Sequence, residues 1–166
     1  MFRGCVKPSS SLYLAKECEK AGVQFRKTLE IDRTFAVVHF GLGLNHEGEG
    51  KINEAIGEFE LAVSHSGDSA IMRSALGHAY AVANRTRDAE EILRWLIDRS
   101  TDHYVSPYVV GVVHAGLGRG KEALSWLRKA TEQRAEWLIH LHMRRDPRLA
   151  HLWSEEKSAA LAERKG

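Results

Sequence analysis

Cysteine is nearly absent. The 166 residues hold only Cys5 and Cys18, both near the start, too few for the disulfide framework of a small secreted domain. A dominant charge is missing as well: 24 Lys and Arg stand against 22 Asp and Glu, a net +2. So slight a balance creates no field that favours nucleic acid or a membrane surface, and neither is expected as a partner. No run approaches the roughly 20 apolar residues of a membrane-spanning helix. The opening MFRGCVKPSSS lacks the apolar centre of a secretory signal. Gly4-Cys5 is no lipoprotein cleavage site either, because Arg3 precedes it and the apolar stretch is missing. The expected compartment is the cytoplasm.

Catalytic signatures are also lacking. Residues 115–126, AGLGRGKEALSW, hold three glycines and a lysine ahead of an amphipathic run. A phosphate-binding loop ending at Gly120-Lys121 would need its first glycine at Ala115 and its magnesium-ligating hydroxyl at Glu122. Both fail, and a carboxylate there would repel phosphate. His46-Glu47 opens a zinc-protease pattern, but Gly50 stands where the second histidine belongs. His140 and His142 are two apart, so on a helix they point in different directions. No metal, cofactor or catalytic residue is expected. Arg144, Arg145, Arg148 and Lys157 form a mild basic end, read as a solvated face or helix C-terminus. Trp95, Trp126, Trp137 and Trp153 are read as fillers between helices, with Trp137 or Trp153 as candidate interface anchors.

What the chain does contain is an internal period of 34 residues. Ala21, Ala55, Ala89 and Ala123 share it, as do Gly43, Gly77 and Gly111. So do Leu42, Leu76 and Val110, then His46, Tyr80 and His114. Four residues past the alanines come Phe25, Phe59, Leu93 and Leu127. A period of this length signals a stack of supersecondary units.

On these residues the chain resembles the tetratricopeptide repeat (TPR) family, whose unit is a helix-turn-helix. Leu-Gly followed by an aromatic marks the first helix of that unit, and Ala-x-x-x-Phe-x-x-Ala the second. The resemblance places repeats over 36–69, 70–103 and 104–137. The family's early Trp is replaced by His39, Arg73 and Pro107, and its closing Pro by Gly67, Thr101 and Ala135. The implied fold is all-α, a right-handed α-solenoid with helical caps. Residues 1–10 are expected to hang loose, and 11–35 to form a partial repeat or N-terminal capping helix, in a chain cut from a longer array or begun by an atypical cap. Residues 138–166 are expected to be C-terminal capping helices. Asp146-Pro147-Arg148 and Leu152 are similar to the closing segment of bacterial signalling and regulatory TPR proteins, whose repeats often accompany output domains that these residues do not contain.

Local chemistry agrees with such units. The glycines at 43, 77 and 111 and the alanines at 55, 89 and 123 allow close helix approach. Ile52, Ala55, Ile56, Phe59, Ala62 and Val63 form one apolar stripe. Thr86, and Asp68 or Ser69, are candidate helix caps. Ser106-Pro107 reads as an N-cap with Pro at N1, so the third unit starts late. Gly48, Gly50, Gly118 and Gly120 sit where the chain reverses, which makes AGLGRGKEA a turn.

The resemblance implies that the first helices line a concave face. Positions 2, 5, 9 and 12 of each unit fall on one stripe. These are Val37, Phe40, Leu44 and Glu47; Ile71, Ser74, His78 and Ala81; and Val105, Tyr108, Val112 and Ala115. None is Lys, Arg or Asn, which excludes the carboxylate clamp of chaperone-adaptor TPR domains. His78 is the best candidate for a polar contact there. An apolar stripe this long is expected to be covered. The candidate covers are an apolar or amphipathic helix from a protein or peptide partner, the chain's own C-terminal helix, or a second copy in a homodimer. Tight packing of the stripe on itself is the structural alternative. The functional expectation is a non-catalytic protein-interaction scaffold, with homo-oligomerisation as the alternative and an enzyme of unfamiliar type as a remote one.

Overall fold

The computed structural model describes residues 22–25, 27–133 and 146–153. The loose end read over 1–10, both cysteines, Trp137, His140, His142, Arg144, Arg145, Lys157 and most of 138–166 lie outside them. The described residues are helix, turn and irregular chain, with no strand among them. Helical residues at 22–25 and 27–31 precede six helices. These are α1 (Ala36–Gly48), α2 (Ile52–Ser66), α3 (Ala70–Val82), α4 (Thr86–Arg99), α5 (Pro107–Gly116) and α6 (Gly120–Gln133). A 3-10 turn, Pro147–Leu149, runs into helical residues 150–153.

The period is built into the backbone. The second helices begin 34 residues apart, at Ile52, Thr86 and Gly120. The first helices begin at Ala36 and Ala70, but the third waits until Pro107, with Ser106 as N-cap and the proline in the first turn. Between paired helices the same turn is made three times. Its left-handed residue is Gly50 (φ 77°), Asn84 (φ 60°) or Gly118 (φ 71°). The next residue closes a six-residue ring back to the helix: Lys51 N donates to His46 O at 2.9 Å, Arg85 N to Tyr80 O at 2.8 Å and Arg119 N to His114 O at 3.0 Å. This is the Schellman arrangement, which satisfies carbonyls at a helix C-terminus and favours Gly or Asn at the left-handed position. AGLGRGKEA is therefore a helix stop. Gly48 and Gly120 lie in helices and carry no positive φ.

A prediction follows from the three turns. Gly118→Ala forces a Cβ into the left-handed region and is expected to destabilise the chain by about 1 kcal/mol. Asn84→Gly is expected to be neutral or slightly stabilising, since glycine relieves the strain but gives the unfolded chain more freedom. Urea unfolding followed by circular dichroism checks both signs.

Helix packing follows chain order. α1 packs on α2, α2 on α3 and α3 on α4, while α3 also lies against α5, and α5 against α6 and the 3-10 turn. The glycines set the spacing. A Cβ on Gly43 would overlap the Phe59 ring; one on Gly77 would come within 2.9 Å of Ile92 and 3.2 Å of Val113. At Gly111 it would meet Leu127 at 3.1 Å and the backbone oxygen of Ala123 at 3.3 Å. Phe25 covers Gly41 in the same manner. Ala55, Ala89 and Ala123 are fully buried opposite these glycines. Ala55, Ile56, Phe59 and Ala62 form the buried stripe of α2, with Ile52 and Val63 at its half-exposed edges.

Two capping expectations are corrected. Thr86 is the first helical residue of α4, and Arg85 is its N-cap, with no side-chain cap bond. Ser69 is the N-cap of α3, but its hydroxyl makes no cap bond. Asp68 turns instead to Arg99, 3.2 Å away, and to Arg73 at 3.8 Å. Both guanidinium groups stack near Trp95, at 4.3 Å for Arg73 and 5.3 Å for Arg99. The Asp68 carboxylate, 59% exposed, thus sits between two cations and not on the amides of α3.

Candidate functional site

The first-helix stripe is far less open than its composition suggests. Of its residues only Val37 and Ile71 are exposed, at 43% and 50%. Phe40, Leu44, Glu47 and Tyr108 are half-buried. Ser74, His78, Ala81, Val105, Val112 and Ala115 are buried. The stripe is thus mostly covered, and its exposed part is confined to Val37 and Ile71. The cause is small side chains. α3 and α5 approach so closely that a Cβ on Gly116 would lie 2.9 Å from the His78 ring and 3.1 Å from Ala81 Cβ. α3 and α5 thus close over His78 and Ala81. Phe40 turns toward the core, its ring centroid 6.0 Å from that of Phe59.

Two of the stripe's ionisable groups, Glu47 and His78, find each other. His78 Nδ1 lies 2.7 Å from Glu47 Oε1, and both side chains are nearly excluded from water, at 7% and 9% exposure. The pair joins the C-terminal half of α1 to the middle of α3. A buried carboxylate without a partner is strongly unfavourable, and this contact resolves it.

Residues 146–153 lie over the α5 end of the stripe. Leu149 and Leu152 are fully buried against Val112, Ala115, Ala123, Leu127 and Ala130, and Trp153 packs on the same cluster. Asp146 caps the 3-10 turn by accepting from Arg148 N at 3.0 Å. Its carboxylate also accepts from Arg148 Nη2 at 2.7 Å and from the Tyr108 hydroxyl. Arg148 Nη2 in turn donates to the Tyr108 oxygen at 3.2 Å. Burial alone would raise the Asp146 carboxyl, but the Arg148 guanidinium and the hydrogen bonds from Arg148 and Tyr108 hold it below its ordinary value. Burial pushes the Tyr108 hydroxyl up, so it stays a neutral donor. Burial opposes the charge on Arg148, yet Asp146 and Tyr108 outweigh it, with a further contribution from Glu47 across the stripe.

Arg148 was the member of the basic end expected to be solvated. It lies inside instead, because Asp146 two residues earlier supplies a carboxylate in the reach of one turn. Nothing in composition alone marked it; the Asp-x-Arg spacing was the available signal.

Acid titration should expose this anchor. The Asp146 carboxyl titrates lower in the folded chain than its ordinary 3.8. Its contribution to stability is therefore fully present above that value and lost as pH falls through the lowered folded value. Exchange protection of 147–153 should collapse in that acid window. The Asp146→Asn chain, already lacking the anchor, should show no such step at that segment.

His39 and His114 are buried among the helices, and His46 is partly buried. His39 Nδ1 is 2.7 Å from Glu58 Oε2 and its Nε2 is 2.9 Å from the Arg33 carbonyl. Burial would lower its imidazole, but these partners hold it above its ordinary value. His46 and His114 occupy the packing position that Tyr80 fills in the middle unit, where the Tyr80 hydroxyl donates to Glu60 at 2.7 Å. Among the described residues no group of three or more His, Cys, Asp or Glu could hold a metal ion. No described helix is long and apolar enough to cross a membrane.

No protein-family model matches the chain, and a search of curated proteins finds no match.

Proposed function

We propose that the chain is a non-catalytic protein-interaction module. It is a right-handed α-solenoid of three TPR-like units whose concave, first-helix face receives an apolar or amphipathic helix from another protein. The observation that carries this reading is the segment 146–153. It is itself amphipathic, with Ala150 and His151 exposed and with Leu149 and Leu152 buried against Val112 and Ala115 of the stripe and Ala123, Leu127 and Ala130 of α6. A surface that holds one such segment has the chemistry to hold another. The exposed part of the stripe is the α1–α3 end, where Val37 and Ile71 present equivalent apolar side chains one unit apart.

The test uses a set of synthetic amphipathic helices with leucines at positions i, i+3, i+4 and i+7, titrated into the full chain. The Val37→Glu, Ile71→Glu double variant is expected to lose more than about tenfold in affinity, since each covered side chain contributes about 1.5–3 kcal/mol when fully buried. Glu91→Lys on the exposed side of α4 should bind as wild type does. Equal binding by all three chains, each helical by circular dichroism, would remove the groove assignment. Light scattering over a roughly hundredfold concentration range separates the competing use: a dimer that persists on dilution assigns the apolar stripe to a second copy.

A further inference from the structure

The segment 146–153 is held by more than apolar contact, and its polar anchor specifies a sequence pattern. We infer that the α5 end of the groove is a recognition site for a short segment bearing a carboxylate, a guanidinium two residues later, and apolar side chains three and six residues after the carboxylate. The chain's own Asp146, Arg148, Leu149 and Leu152 fill it in cis. A partner protein carrying the same pattern competes for it. This inference rests on the concave face being the binding face.

Three observations support it. First, the ion pair is buried: the side chains of Arg148 and Asp146 are only 13% and 6% exposed. A cap that merely covered the end of a stack would be at least as stable with apolar residues, because burying a charge pair has a large desolvation penalty. Second, the groove supplies polar groups that meet this pair from another element. Tyr108 on α5 donates to Asp146 and accepts from Arg148, while Glu47 on α1 makes only a minor electrostatic contribution to the charge on the guanidinium. Both bonds converge on the single Tyr108 hydroxyl, so a segment shifted by one residue loses them together. Third, the leucines are spaced three apart and both enter the same buried cluster. Charge fixes the register, and the leucines supply the area.

Tethering determines when an outside segment gains entry. The internal copy belongs to the same chain, so it competes at a high effective concentration. A free peptide of the same sequence therefore binds poorly to the intact chain. It binds well once the internal copy is weakened and the groove residues are left untouched.

The experiment titrates a labelled synthetic peptide, DPRLAHLW, into the full-length wild-type chain and into its Arg148→Ala variant. The variant is expected to bind the peptide at least tenfold more tightly than wild type. A peptide with alanine in place of its arginine is expected to bind neither chain. Equal affinity for the two chains, or no binding to a variant that remains helical, overturns the inference. Should Arg148→Ala lose its helical signal, Arg148→Lys carries the comparison, since it keeps the charge and the leucine contacts while losing the two-pronged geometry. A peptide no tighter on that chain than on wild type overturns the inference equally. Retained binding of amphipathic helices at Val37 and Ile71 alongside such a result would leave the proposed function standing.

Discussion

Replacing Arg148 with alanine is expected to release residues 146–153 from the face of α5. The substitution leaves Asp146, 8% exposed, with the Tyr108 hydroxyl and one backbone amide as its remaining partners among the described residues. Removing one partner of a buried pair costs about 3–5 kcal/mol. What holds the segment in place otherwise is chiefly Leu149 and Leu152, each contributing about 1.5–3 kcal/mol when fully buried. The two quantities are of similar size, so the penalty nearly cancels the docking energy and local release becomes the cheaper outcome. Hydrogen exchange across 147–153 should accelerate by about a hundredfold or more. Protection should also fall in α5, whose Val112 and Ala115 lose their cover. The helices α1 to α4 should be unaffected, because no charge or apolar contact of theirs with the segment is comparable. Tyr108→Phe removes one hydroxyl shared by both ions and should have a smaller effect of the same sign, about 0.5–1.5 kcal/mol. Uniform acceleration along the whole chain would show that the segment is integral to global folding and not separately docked.

Phe59→Ala should be the most damaging change in the N-terminal half. Phe59 is fully buried and lies among Ala55, Ile56, Ala75 and Leu76. Emptying that site costs about 3–5 kcal/mol, which for a chain of this size lowers the melting temperature by roughly 10 °C. The ring also fixes the identity of residue 43, since any Cβ there overlaps it. Gly43→Ala alone should therefore destabilise by about 1–3 kcal/mol through overpacking. In a Phe59→Leu background the aromatic edge is gone, and the same Gly43→Ala change should cost markedly less. That coupling is expected because the two residues touch. Additive effects in the double-mutant cycle would mean that the ring does not set the α1–α2 spacing.

Much of the architecture was legible in the sequence, for a definite physical reason. A 34-residue recurrence of Gly43, Gly77 and Gly111 marks the places where helices cross most closely, and glycine is required wherever a Cβ would meet a ring or a backbone oxygen. The turns were legible at Gly50 and Gly118 but not at Asn84, which adopts the same left-handed conformation with a side chain that only partly advertises it. Helix caps were read from residue type alone, and there competition decided otherwise: Asp68 has two arginines within reach and serves them.

The candidate site was legible in direction but not in depth. Periodicity identifies which side of a helix a residue occupies, and it placed Glu47, His78 and Tyr108 on one stripe. It carries no information about interhelical distance. Ser74 and Ala81 looked like the floor of a groove, whereas their smallness let α3 and α5 close together. Arg148 reads as a surface cation because its pairing with Asp146 is local, whereas the Tyr108 hydroxyl and the apolar cluster that enclose the pair are distant in sequence. Its contact with Tyr108 spans 40 residues, beyond the reach of any local pattern.

The most direct test of the binding-face proposal is an exchange footprint. The wild-type chain is saturated with the tightest amphipathic helix from the peptide set, and backbone hydrogen exchange is compared with that of the free chain. The account predicts new protection in α1 and α3, centred on the turns that carry Val37 and Ile71, with α2 and α4 unchanged. Protection confined to α2 and α4 would contradict it, because the partner would then be held on the opposite side of the helical stack.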